Sequence, residues 1–288
     1  MTAFDTPEPI HVTIEIGVGH IRIVASDRTD TVVEVTPSNP DKKADVAAAE
    51  QTRVEYAGGR LLVKAPKGLR HYSFWGGGES IDVEIALPAG SHITAEAALA
   101  AMQCSGRLGE CRYKTGAGDI HLEQAGPLHV KTSAGDITAD RVLGQAEITT
   151  GSGAVQVAGI DGSAVIKNSN GHTWVGEVTG DLRVSSANGR ITVDHALGTV
   201  AAKNANGDIR LGEVARGAVV AETGFGKLDV GVRDGVAAWL DLSTGFGRVH
   251  NNLDAAGRPA SGENTVEVRA RSGYGDISIT RALVSNEA

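Results

Sequence analysis

Apolar and polar residues alternate along this chain in short runs, and from Ala100 onward the runs restart about every 18 residues. The clearest copies read Asn-Ser-Asn-Gly-His-Thr-Trp-Val, Ser-Ser-Ala-Asn-Gly-Arg-Ile-Thr-Val and Lys-Asn-Ala-Asn-Gly-Asp-Ile-Arg-Leu, with turn glycines Gly171, Gly189 and Gly207. With the turn glycine as position zero, further zeros fall at Gly118, Gly135, Gly153, Gly226, Gly247 and Gly275, and Ala100 fills a degenerate coil before the first. Two and four residues after zero the side chains are nearly all apolar, as in Ile191 and Val193 or Ile209 and Leu211. Seven and five residues before zero they are apolar again, as in Leu182 and Val184 or Val200 and Ala202. Each coil therefore carries two short strands of period two, whose inward positions stack from coil to coil into parallel ladders around a dry interior. The pattern predicts an all-β parallel β-solenoid (β-helix) of about 18 residues per coil. The general preference for right-handed crossovers sets its expected hand.

A chain of hairpins is the competing topology, because Asn-Gly favours a tight type I′ turn. A two-residue hairpin would bury the sixth position after zero, yet that column holds Gln124, Arg141, Glu177, His195 and Glu213. The seventh holds Val142, Ile160, Val178, Ala196 and Val214, as the solenoid requires. Upstream, residues 11–16, 21–24, 32–35, 52–57, 60–65 and 80–87 read as strands, and residues 40–51 as a short helix of good helix formers. The expected organisation is a strand-rich segment over 1–95 that caps or continues into the array, solenoid repeats over 96–283 and a tail over 284–288. Cys104 and Cys111 both fall in inward columns and lack Cys-x-x-Cys spacing, so they read as core thiols.

Composition narrows the reading further. Thirty-eight glycines with only 4% aromatics suit a narrow aliphatic core with many tight turns. A net charge of −8 argues against nucleic acid as a partner, since a phosphate footprint wants a concentrated basic surface. The first residues show neither a basic nor an apolar leader region, and no apolar run is long enough to span a bilayer. The expected location is the cytoplasm, with no transmembrane segment.

Catalytic chemistry on a β-helix would need carboxylates gathered on one lateral groove. The column just after zero instead mixes Asp119, Asp136, His172, Arg190, Asp208, Lys227, Arg248 and Asp276, which suits turns and cross-coil ion pairs such as Arg190 with Asp208. The histidines are scattered over columns, and the Gly-Gly-x-Gly-x-Asp nonapeptide of calcium β-rolls is missing, so neither metal nor cofactor is expected. Three features remain as contact candidates. Tyr72, Phe74 and Trp75 lie beside three glycines in one loop, and either bind a partner or cover the first coil. Lys114, Lys131, Lys167 and Lys203, four residues before zero, form a partial basic stripe that either meets an anionic partner or is a solvated face. Trp174, three after zero, points outward and marks a lateral contact or a packing site. One residue before zero, Asn170, Asn188 and Asn206 give way to Phe225, Phe246 and Tyr274, so the corner turns aromatic toward the C-terminus.

Lys-Thr-Gly-Ala-Gly-Asp-Ile at 114–120, Lys-Thr-Ser-Ala-Gly-Asp-Ile at 131–137 and Ser-Gly-Tyr-Gly-Asp-Ile at 272–277 resemble the Gly-Asp-Ile/Val repeats of a bacterial putative-adhesin, β-strand-repeat family of unknown function. The resemblance implies a β-helical fold and supplies no catalytic residues. The expected function is a non-enzymatic interaction or scaffold protein with an unknown protein or glycan partner. A self-assembling filament and a carbohydrate-active β-helix enzyme are the alternatives.

Overall fold

The computed structural model describes residues 1–66, 79–253 and 265–282. They form two compact units, Met1–Leu143 and Gly144–Ala288. In both, the inward columns of the sequence are the core. Ile148, Val155, Val157, Ile166, Val175 and Ile191 are fully buried, and Leu182, Val193, Ile209 and Leu211 are 1% exposed.

In the C-terminal unit the strands pair in parallel one coil apart. Ala146–Ser152 lies on Ala164–Asn170, and that on Leu182–Asn188, each with an offset that sets Ile148 on Ile166 and Ile166 on Val184. The second ladder sets Val155 on Thr173 and Thr173 on Ile191. Hairpins are absent from these ladders. The turn glycines are required by the tightness of the stack: Gly189 has φ +123°, and a Cβ there would sit 2.2 Å from the carbonyl oxygen of Gly171 in the neighbouring coil.

The stacking order departs from chain order near the C-terminus. Thr265–Tyr274 pairs with Gly217–Phe225 on one side and with Ala237–Phe246 on the other. Ile277–Arg281 likewise lies between Leu228–Val232 and Val249–Asn251. The coil of Gly275 is thus inserted between those of Gly226 and Gly247, and the coil of Gly247 is the outer one. Exposure follows: Val268, Ala270, Ile277 and Ile279 are fully buried, whereas Leu240 and Leu242 are half-buried and Val249 is 43% exposed.

In the N-terminal unit the array begins earlier than Ala100. The 16-residue strand His11–Ser26 pairs from His11 to Val24 with His92–Arg107, which sets Gly19 on Ala100, Ile14 on Ala95 and Ile21 on Met102. His92–Arg107 in turn carries Cys111–Lys114 and Ile120–Ala125. His11–Ser26 is therefore a complete coil with its corner at Gly19. Beyond it, Arg60–Lys64 and Ser80–Pro88 pair in parallel with its two halves. The outermost layers are antiparallel: Arg53–Ala57 on Arg60–Lys64, Asp30–Pro37 on Ser80–Pro88, and Thr2–Asp5 on Asp30–Pro37. The predicted helix is Lys43–Gln51.

Cys104 and Cys111 are free, buried core residues. Burial, together with the neighbouring Cys111 thiol, pushes Cys104 well above the ordinary thiol range, and burial next to Glu110 pushes Cys111 up to about 12. Both are held as neutral thiols. Asp45, 2% exposed, is the buried acid of the helix. Burial raises its carboxyl, but hydrogen bonds from the Ser80 N–H (3.1 Å) and the Lys42 ammonium (3.0 Å) outweigh this and leave it below the usual value.

Candidate interaction surfaces

Three residues before zero, the polar column serves the turns. The Asn168 amide donates to the Gly153 carbonyl (3.0 Å), the Thr223 hydroxyl to Gly207 (3.0 Å) and the Ser272 hydroxyl to Gly226 (3.0 Å). These side chains are nearly buried, which removes them from any outer surface. One residue before zero the Asn column is an exposed ladder, with Asn188 donating to Asn170 (2.9 Å) and Asn206 to Asn188 (3.2 Å).

Where that column turns aromatic, the rings stack. Tyr274 lies between Phe225 and Phe246, with ring centroids 4.8 and 4.7 Å apart and planes within 4° and 6° of parallel. The coil spacing of a parallel ladder places the rings face to face. Phe225, Tyr274 and Phe246 are 56%, 50% and 67% exposed, so the ladder is an aromatic strip on the surface of the C-terminal unit. Stacking hides the ring faces of Phe225 and Tyr274 from each other and leaves edges outward, while Phe246, among the described residues, has a ring on one face only.

The sequence-read candidates fare unequally. Tyr72, Phe74 and Trp75 lie outside the described residues. In the N-terminal unit, Lys114 and Lys131 are exposed and adjacent in register. In the C-terminal unit, Lys167 is exposed next to Ser185, but Lys203 is neutralised by Glu222 (2.9 Å), which occupies the same column in the next coil. The stripe is therefore broken by its own acid. Trp174 stands on the outward face between Gln156 and Thr192, half-buried, with its indole N–H donating to Asp194 Oδ2 (2.9 Å). The anticipated pair of Arg190 with Asp208 is present at 3.6 Å.

Asp194 also lines a lateral cleft of about 460 Å³ with His195, Arg210, Glu213, Asp229 and Arg281. Gly231 also lines it but is buried, and a Cβ there would meet the Gly212 carbonyl of the neighbouring coil at 1.9 Å. Two of the carboxylates are already engaged. Asp194 holds Trp174, and Glu213 accepts both Nε and a terminal nitrogen of Arg233 while His195 Nδ1 stands 3.9 Å away. Asp229 and Arg210 are exposed. The aromatic strip was legible as a column change; the cleft was not, because its walls come from different columns. Among the described residues no group of three or more potential metal ligands converges, and no helix is long and apolar enough to cross a membrane.

No curated protein matches the chain significantly. A solved structure from Clostridium sporogenes, described as a putative cell adhesion protein, is 15% identical over 97% of this chain and 98% of its own, with a TM-score of 0.23. One from Bacteroides fragilis, described as a putative adhesin, is 12% identical over 96% and 95%, with a TM-score of 0.31. A third from Parabacteroides distasonis, described as a putative lipid binding protein, is 10% identical over 96% and 95%, with a TM-score of 0.35. The family model for Toastrack DUF4097 matches residues 11–280, from the first full coil of the N-terminal unit to the last strand of the C-terminal one, and the chain belongs to that family.

Proposed function

We propose that this protein is a non-catalytic recognition scaffold that binds a protein partner along the aromatic corner of its C-terminal unit. The observation that carries the proposal is the strip of Phe225, Tyr274 and Phe246, each at least half exposed in a chain with only 4% aromatics. Exposed aromatic area of this kind is characteristic of binding surfaces. The mutual stacking of the rings favours a protein partner over a glycan. A sugar ring stacks on an aromatic face, whereas Tyr274 has a ring on each face and Phe225 lies between Tyr274 and Asn206 in the ladder.

The column itself supplies the test. Asn occupies this position in three coils, so Phe225→Asn with Tyr274→Asn replaces the strip by a side chain the array already accepts. Partner recovery from a lysate of the source cells should fall at least tenfold for the double variant while its circular dichroism is unchanged. Equal recovery by the two proteins would remove the aromatic corner as the binding surface.

The lateral cleft supports a second reading, a carbohydrate-active site, on the single ground that Asp229 is exposed and no described side chain holds it. The engagement of Asp194 and Glu213 by Trp174 and Arg233 speaks against it. Loss of a measured glycan-cleaving activity in Asp229→Asn would favour that reading over the scaffold.

A further inference from the structure

Among the described residues, the outermost coil of the C-terminal unit has an open edge. Its strands, Ala237–Phe246 and Val249–Asn251, pair on one side only among the described residues, with Thr265–Tyr274 and Ile277–Arg281. The other side presents a row of backbone donors and acceptors at strand spacing. Its inward positions are uncovered too: Leu240 and Leu242 are half-buried, and Val249 is 43% exposed. Phe246 ends the ring stack with one face open. A natural edge strand is usually protected by brevity, lysine, proline or inward-pointing charge. Ala-Ala-Trp-Leu-Asp-Leu-Ser-Thr-Gly-Phe has ten residues, one acid and none of those devices.

The outer layers of the N-terminal unit are protected. Thr2–Asp5 is four residues long, and Arg53–Ala57 carries Arg53 paired with Glu55 on its edge. Phe4 and Tyr56 bring these two edge strands together, with ring centroids 5.3 Å apart. Both strands are antiparallel to their neighbours, so the parallel coil pattern has already stopped there.

We propose that the coil of Gly247 pairs with the same coil of a second copy of this chain, giving a closed dimer. The occupant must bring two strand edges one sheet apart, apolar inward positions to close the core and an apolar neighbour for Phe246, which antiparallel pairing over the full strand sets opposite Ala237 of the second copy. Among the described residues one surface meets all three requirements, and it is the same coil. A two-fold axis normal to the two sheets sets Ala237–Phe246 antiparallel to its mate and Val249–Asn251 antiparallel to its own. That operation keeps inward residues inward, so the two cores join. The protected N-terminal layers offer no mate for the open coil, so the assembly is isologous and stops at two. This inference goes beyond lateral recognition and does not depend on it, since it is read on purified protein with no partner present.

Light scattering and sedimentation equilibrium over a concentration series test it. The wild-type protein should reach twice the monomer mass and grow no further. Leu242→Lys places a charge in the half-buried inward column, where it can reach water in the monomer but not in the dimer, and should shift the dimer constant at least tenfold toward monomer. Phe246→Asn, the residue this column carries at Asn170, Asn188 and Asn206, should weaken the dimer by a smaller factor. Val54→Lys, on the N-terminal edge, should change nothing. A monomer at every concentration, growth past two copies, or a dimer indifferent to both Leu242→Lys and Phe246→Asn would each overturn the proposal. Unaltered far-UV circular dichroism is required of each variant, and Phe246→Asn keeps the test decisive if Leu242→Lys fails to fold.

Discussion

If the coil of Gly275 lies inside that of Gly247, truncations in one column should rank by stacking order and not by chain order. Leu182, Leu240 and Val268 all stand seven residues before zero, so chemistry and face are matched. Leu182 is 1% exposed and Val268 fully buried, while Leu240 is half-buried at the open coil. Leu182→Ala removes its transfer term and leaves a cavity closed by coils on both sides, an expected cost of about 3 to 5 kcal/mol. Val268→Ala loses two methyl groups in an equally closed site, about 2 to 3 kcal/mol. Leu240→Ala loses part of the transfer term and leaves no closed cavity, roughly 1 to 2 kcal/mol. Urea unfolding followed by circular dichroism would give the ranking, at the lowest workable concentration so that pairing between copies does not bury Leu240. Stacked repeats open locally, so hydrogen exchange should accompany the melts. Leu240→Ala should speed exchange in Ala237–Phe246 alone, whereas Val268→Ala should speed it on both sides of Thr265–Tyr274. Stacking in chain order would invert the result: Leu240→Ala as costly as Leu182→Ala, and Val268→Ala nearly silent. That outcome would refute the inserted coil.

Other perturbations probe other links. Gly189→Ala should cost roughly 1 to 3 kcal/mol from its backbone conformation alone, and more from the carbonyl 2.2 Å away. Gly58→Ala, with φ +56° and open space around it, should cost only about 1 kcal/mol in the same melts. Iodoacetamide at pH 8 should label neither cysteine of the native protein and both after unfolding, because burial keeps the thiols neutral. Stability should hold below pH 9 and fall between about 9 and 12. Over that range the unfolded chain ionises its thiols and phenol, while burial keeps Cys104 and Cys111 protonated and raises Tyr113 to about 12. The alkaline melting curve should be flatter in Cys111→Ala. Asp45 works at the other limb: its lowered carboxyl contributes stability present above about pH 4 and lost on further acidification, and Asp45→Asn should reduce that acid dependence.

The inward columns from Gly118 to Gly226 were legible because a period of 17 to 19 residues leaves each coil next to its chain neighbour, so one-dimensional spacing and three-dimensional stacking agree. The coil at Gly19 was hidden because its partner in the stack, Ala100, is 81 residues away, with the outer antiparallel layers and the helix formed in between. Trp174 was legible as outward but its hold on Asp194 was not: the bond runs from the third position of one coil to the fifth of the next, which depends on a side-chain rotamer and not on a column. The basic stripe read from lysines alone overlooked Glu222 in the same column, whose pairing with Lys203 divides the charge.

Column membership decides which face a residue takes, but it leaves open which coil lies next to which. At the C-terminus the composition of the columns carries that second kind of information. The coil of Gly247 has Asn251 where its counterparts have Leu211, Val230 and Ile279, so one of its four core positions is polar. An interior coil would bury that amide between two neighbours at a cost of about 1 to 3 kcal/mol if unpaired, whereas an outer coil leaves it exposed, as it is here. The coil of Gly275 has Val268, Ala270, Ile277 and Ile279, apolar throughout and fully buried. Desolvation therefore selects the stacking order: the later coil is fit for the interior and the earlier one for the edge. The same reasoning separates the two surfaces of this unit. Asn251 softens the open coil enough for a monomer to stay folded, and Leu240, Leu242 and Phe246 leave it apolar enough to gain from a second copy. Asn251→Leu should accordingly tighten the dimer severalfold in sedimentation equilibrium, and a dimer constant unmoved by that change would mean the inward face of this coil is not what the copies share.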